Sequence, residues 1–97
     1  MAQVIYSPAA WADLERLAEF LMQDDAAAAL ATYDLVAGAI AVLARHPLIG
    51  RPCADGLREL VISRGKSGYL ALYSYYEERD CAVVLAIRHQ REAGYTE

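Results

Sequence analysis

In the first half of the chain apolar residues recur every three or four positions, and in the second half they gather into short extended runs. The order of elements follows from that change of period. Residues 3–6 are extended and long enough for an edge strand. Ser7-Pro8 then marks a helix start, because serine caps free N–H groups and proline at the first helical position has no N–H to lose. From residue 8 to about 23, Trp11, Leu14, Leu17, Ala18 and Leu21 make one apolar stripe, while Asp13, Glu15, Arg16 and Glu19 take the other side. Trp11 is therefore expected in the core. Asp24-Asp25 breaks the period and caps a second helix over residues 26–46. Its stripe is Leu30, Tyr33, Ala37, Ile40, Ala41 and Ala44, widened by Val36 and Leu43. So short a connection makes the two helices an antiparallel hairpin, and Pro47 ends the second.

Residues 47–56, with two prolines and two glycines, read as an irregular linker that returns the chain to a sheet. Three apolar strands follow at 57–63, 69–76 and 81–88, separated by polar turns at 64–68 and 77–80, which is the pattern of an antiparallel meander. On the middle strand Leu70 and Leu72 oppose Tyr69, Ala71, Tyr73 and Tyr75. On the last, Val83, Leu85 and Ile87 oppose Ala82, Val84 and Ala86. Neither strand has a polar face, so both faces of the sheet need cover. The expected fold is α+β in a single domain, residues 1–97. A short N-terminal strand and a two-helix hairpin precede a three-stranded meander that completes one twisted antiparallel sheet. The hairpin covers one face; the other is left to the tail or to another chain.

Composition narrows the class. The 97 residues are 57 % hydrophobic with mean hydropathy +0.15, which describes a small folded domain, and a core of that size is often completed by a partner. No membrane association is expected, since the Ala-rich stretch 26–44 is interrupted by Thr32, Tyr33 and Asp34. No basic segment precedes an apolar run at the N-terminus, so no signal peptide is visible and the cytoplasm is the expected location. Cys53 and Cys81 lack metal-ligand spacing and read as two reduced thiols; His46 and His89 stand alone, so neither a metal nor a cofactor is implied. The net charge of −4 is unevenly spread: residues 1–44 carry one basic and six acidic side chains, residues 45–97 eight basic and seven acidic. Bulk charge therefore disfavours sequence-independent nucleic-acid binding and leaves room for a local basic patch on the sheet.

No nucleophile elbow, phosphate loop, HExxH or strand-borne carboxylate pair is present. Gly65 and Gly68 bracket Lys66 and Ser67 with the spacing of single-strand RNA clamps, yet they lie between two strands and read as a hairpin turn. The side chains with chemistry to offer are Arg58, Arg64, Lys66, Arg88 and Arg91, with His89 and Tyr95. Arginines at the ends of neighbouring strands, beside an aromatic hydroxyl, could hold a phosphodiester and the charge that develops on it. They could equally be solvated strand ends paired with Glu59, Glu77 and Glu92.

The segments YSPAAWADLERLAEFL, HPLIGRP, LRELVIS, SGYLALYSY and VVLAIRHQREAGY, in that order over nearly the whole chain, resemble the RelE/ParE family of type II toxin–antitoxin toxins. The resemblance implies a small bacterial cytoplasmic toxin, held inactive by a cognate antitoxin encoded in the same operon, whose C-terminal segment wraps it. RelE-like members cleave mRNA in the ribosomal A site, using basic side chains and a tyrosine or histidine near the C-terminus. ParE-like members poison DNA gyrase. On the ribonuclease pattern the middle-strand arginine falls near Lys66 or Ser67, and Arg88 matches the arginine that closes the last strand. The terminal His-Tyr pair falls at Gln90 and Arg91, where neither residue is present. The RHQREAGY ending looks ParE-like. The expectation is a non-enzymatic gyrase toxin that meets its target through Arg58, Arg64, Lys66, Arg88, Arg91 and Tyr95. One alternative is a ribosome-dependent mRNA endoribonuclease with Arg58, Lys66, Arg88, His89 and Tyr95 as catalytic candidates. The other is an inactive antitoxin-binding module, and a homodimer stays open.

Overall fold

The structure, a computed structural model, describes residues 1–63 and 68–90. Strand β1 (Gln3–Tyr6) leads into α1 (Pro8–Met22) and α2 (Ala26–Ala41), which a 3-10 turn at Val42–Ala44 extends. Strands β2 (Arg51–Pro52), β3 (Arg58–Ile62), β4 (Tyr69–Tyr76) and β5 (Cys81–His89) complete a five-stranded sheet in the order β1-β5-β4-β3-β2. The helical hairpin lies on one face. Leu14, Leu17, Val36, Ile40 and Leu43 pack there with Leu60, Ile62, Tyr69, Ala71, Tyr73, Ala82, Val84 and Ile87 in one core.

The sheet is mixed, where an antiparallel one was expected. β1 runs parallel to β5, from Gln3 opposite Cys81 to Tyr6 opposite Val84, and the remaining neighbours are antiparallel. The hairpin is the cause. Two antiparallel helices return the chain to its starting end, where the Ala2 N–H meets the Ala44 carbonyl at 2.7 Å. β3 then runs in the direction of β1, and β5, two strands on, must do the same. The linker is also more ordered than its prolines and glycines suggested. β2 pairs Arg51 with Glu59 and Pro52 with Arg58, and a 3-10 turn at Ala54–Gly56 follows with Asp55 and Gly56 at positive φ.

Both helices are rotated from the faces expected of them. Trp11 is 43 % exposed and stacks on Tyr6, ring centroids 4.8 Å apart, while Ala10 takes the inward position. On α2 the buried residues are Ala29, Val36 and Ile40; Leu30 is 69 % exposed and Tyr33 also faces out. An almost wholly apolar helix has no polar side to mark its inward face. Residues Ala26–Ala44 are in fact long and apolar enough to cross a membrane by length and composition, with mean hydropathy 1.8, despite their polar interruptions. In this fold Val36, Ile40 and Leu43 of that stretch cover the sheet.

Asp13, assigned to the solvent side of α1, is buried, and its Oδ2 accepts the Ile87 N–H at 2.9 Å. A bulge explains it. Ala86 opposes Leu72 and Val84 opposes Tyr73, so Leu85 is an extra residue in β5. Beyond Leu85 the alternation reverses: Ile87 joins Ala82 and Val84 in the core, and Ala86 turns to the other face. β1 ends at Tyr6, opposite Val84, so further along β5 the place of a strand neighbour is taken by α1. There Ser7 Oγ accepts the Ala10 N–H at 3.1 Å as helix cap and donates to the Leu85 carbonyl at 3.3 Å. Ser7→Ala removes both bonds and is expected to cost about 1–2 kcal/mol in urea denaturation. An unchanged midpoint would mean that α1 is not anchored at this point.

Candidate target-binding site

Of the residues singled out in the sequence, Arg58, Arg88 and His89 lie within the described structure. Arg64 and Lys66 fall in residues 64–67, and Arg91 and Tyr95 in residues 91–97, outside the described residues. The three that are described do not converge. Arg58 opposes Tyr73 and Arg88 opposes Leu70, from the two sides of β4 and three positions apart along it, which is about 10 Å in the strand direction. Alternation places Arg58 on the helix-side face with Tyr73, and Arg88 on the opposite face with Leu70. His89 opposes Tyr69 on the helix-side face and meets its ring edge-on, centroids 5.2 Å apart.

Arg58 is engaged within the fold. Its Nη1 donates to the carbonyls of Leu48 at 3.1 Å and Gly50 at 2.7 Å. The fully buried Tyr73 holds the same loop from beneath, donating its hydroxyl to the Pro47 carbonyl at 2.8 Å and accepting the Gly50 N–H at 2.9 Å. Burial pushes the Tyr73 phenol above its ordinary pKa, against the smaller lowering effects of the Gly50 N–H and the Arg58 charge. The hydroxyl therefore remains a donor at neutral pH.

The face of the sheet away from the helices carries a depression of about 360 Å³ lined by Arg51, Val61, Leu70, Arg88 and Gln90. Arg51 donates through Nε to Glu59 Oε1 at 2.9 Å, and its Nη2 reaches the same oxygen. Arg88 Nη1 lies 3.3 Å from the His89 carbonyl and 3.4 Å from that of Gln90. Gln90 ties the end of β5 to the entry of β4: its N–H donates to the Gly68 carbonyl at 2.9 Å, and its side-chain amide to the Ser63 carbonyl, also at 2.9 Å. Arg51 and Gln90 were not foreseen as site residues, because a two-residue strand has no alternation to read and a glutamine carries no charge to notice. Two guanidinium groups above an apolar floor can seat an anionic group on an apolar stem. Among the described residues the lining holds no histidine, cysteine or carboxylate.

Residues 4–94 match the family described as the ParE toxin of type II toxin–antitoxin system, parDE. The chain belongs to this toxin family. The toxin RelE3 of Caulobacter vibrioides is 35 % identical to it over 92 residues, covering 95 % of this chain and 98 % of the relative. Among solved structures, the chromosomal ParDE TA system from P. aeruginosa superposes with a TM-score of 0.75 at 19 % identity, covering 92 % of this toxin and 96 % of that chain. The toxin–antitoxin complex RelBE2 from Mycobacterium tuberculosis gives a TM-score of 0.60 at 25 % identity, covering 92 % and 98 %. The toxin thus shares its fold with members called ParE and members called RelE.

Proposed function

We propose that the toxin acts in the cytoplasm by binding DNA gyrase and stabilising its cleaved complex with DNA, with no chemistry of its own, and that a cognate antitoxin from the same operon neutralises it. The observation that carries this reading is the divergence of the candidate catalytic set. Cleaving a phosphodiester requires a group to activate the 2′-hydroxyl, a group to protonate the leaving oxygen, and cations between them. Among the described residues the cations Arg58 and Arg88 stand on opposite faces of the sheet, and the histidine is packed edge-on against Tyr69 on the helix side. The match over residues 4–94 to the ParE toxin family supports the same reading. An antitoxin partner is supported by the two structural neighbours, one from a toxin–antitoxin system and one from a toxin–antitoxin complex. It also suits the apolar side chains Phe20, Met22, Leu30 and Leu35, exposed along the hairpin.

Purified toxin is expected to accumulate cleaved DNA with gyrase and to leave mRNA on programmed ribosomes intact. Replacing His89 by alanine together with Tyr95 by phenylalanine should leave growth inhibition in place. The second reading, ribosome-dependent mRNA cleavage, is favoured by the identity to a relative named RelE3. It takes over if that double variant loses toxicity while remaining folded and antitoxin-bound.

A further inference from the structure

Leu48 and Ile49 are 58 % and 56 % exposed, two large aliphatic side chains side by side in solvent. The loop that carries them is fixed from within. Tyr73 bonds the Pro47 carbonyl and the Gly50 N–H, Arg58 bonds the carbonyls of Leu48 and Gly50, and the Ile49 N–H closes on the His46 carbonyl at 3.1 Å. A loop held in this way presents its side chains with little left to order on binding. Among the described residues neither Leu48 nor Ile49 belongs to the core, yet a buried tyrosine and an arginine hold their backbone in place.

The surroundings have a charge of their own. Residues 45–58 contain Arg45, Arg51 and Arg58 against Asp55 alone, in a chain whose net charge is −4. Arg45, His46 and Arg51, which flank the two aliphatic residues in sequence, are exposed, and Arg51 is paired with Glu59. We propose that Leu48 and Ile49 form the hot spot through which the toxin docks into an apolar pocket rimmed by carboxylates on its protein target. This rests on the reading of the toxin as a binder of a protein. A nucleic acid would reward the arginines and leave the two aliphatic residues in water, since strands are held by cations and aromatic stacking. A second copy of the chain would bring like charges together across the contact.

The variant Leu48→Ser/Ile49→Ser leaves every backbone bond of the loop in place. It is expected to keep its circular dichroism spectrum, melting temperature and antitoxin binding, while the trapping of gyrase–DNA complexes falls at least ~10-fold and growth inhibition is lost. Arg45→Glu should weaken trapping less, and most strongly at low salt. Full growth inhibition by the folded double variant would overturn the proposal. So would a parallel loss of antitoxin binding, which would make the loop the antitoxin's seat. Should the double change impair folding, Leu48→Ala and Ile49→Ala singly give the same reading. If the wild-type toxin stops growth without trapping gyrase, the gyrase reading falls, and the loop proposal is then decided by whether the double variant still stops growth.

Discussion

Gly50→Ala is expected to be a strongly destabilising single-methyl change in the toxin. A Cβ at this position would stand 2.6 Å from Tyr73 Cε1, 2.7 Å from its hydroxyl and 3.0 Å from the Glu59 carbonyl oxygen. Neither neighbour can give way: Tyr73 is fully buried in the core, and Glu59 is backbone within β3. Overpacking costs roughly 1–3 kcal/mol, and displacing the loop would also strip the buried Tyr73 hydroxyl of its partners, for a total of about 2–5 kcal/mol. In a domain of this size that lowers the melting temperature by more than ~10 °C. Thermal denaturation reads the effect directly. Part of it should disappear in a Tyr73→Phe background, where the hydroxyl contact and the hydroxyl's lost partners are gone while the Cε1 contact stays, so the two changes should be non-additive. Additive losses would mean that the loop and Tyr73 are not coupled.

The second large effect lies at Asp13. Its carboxylate accepts the Ile87 N–H past the bulge, with Arg16 at 4.0 Å on the outside. Asp13→Ala leaves a buried N–H without an acceptor and should cost about 1–3 kcal/mol. Asp13→Asn keeps an acceptor oxygen and should cost less than half as much. Amide hydrogen exchange separates a general loss of stability from a local one. In the alanine variant the Ile87 amide should exchange ahead of its neighbours Val84 and Ala82, and a uniform change across β5 would count against the assignment.

The sequence made the two helices and the three longer strands legible because their boundaries are strong: Ser7-Pro8, Asp24-Asp25 and Pro47 bracket two helices, and the turns bracket three strands. It could not show which way α1 and α2 face. α2 is apolar on nearly every side, and α1 buries an aspartate whose partner is created only by the Leu85 bulge in a strand far along the chain. The parallel pairing of β1 was equally hidden, since it depends on where the hairpin returns the chain. The candidate site was legible as a list of cations and no further. Their identities stand in the sequence, but Arg58 bonds loop carbonyls, Arg88 emerges on the opposite face, and Arg51 enters through a strand of two residues. Which side of a sheet a charge occupies is set by register, and here a single extra residue changes it.

The parallel strand has a consequence for how the toxin comes into being. The Ser7–Leu85 hydrogen bond spans 78 residues, and among the described residues β1 pairs with β5 alone. Contacts so distant in sequence must close a long loop before they return any stabilisation, and they form late. On the ribosome the N-terminal strand has nothing to pair with until the final strand has been synthesised. Until then α1 lacks both of its anchors on β5, and the hairpin has no complete sheet beneath it. The sheet of the described residues can therefore close only at the end of synthesis. A message cut short before β5 is expected to yield a fragment that cannot close this sheet, with β1 and α1 left without the strand that anchors them.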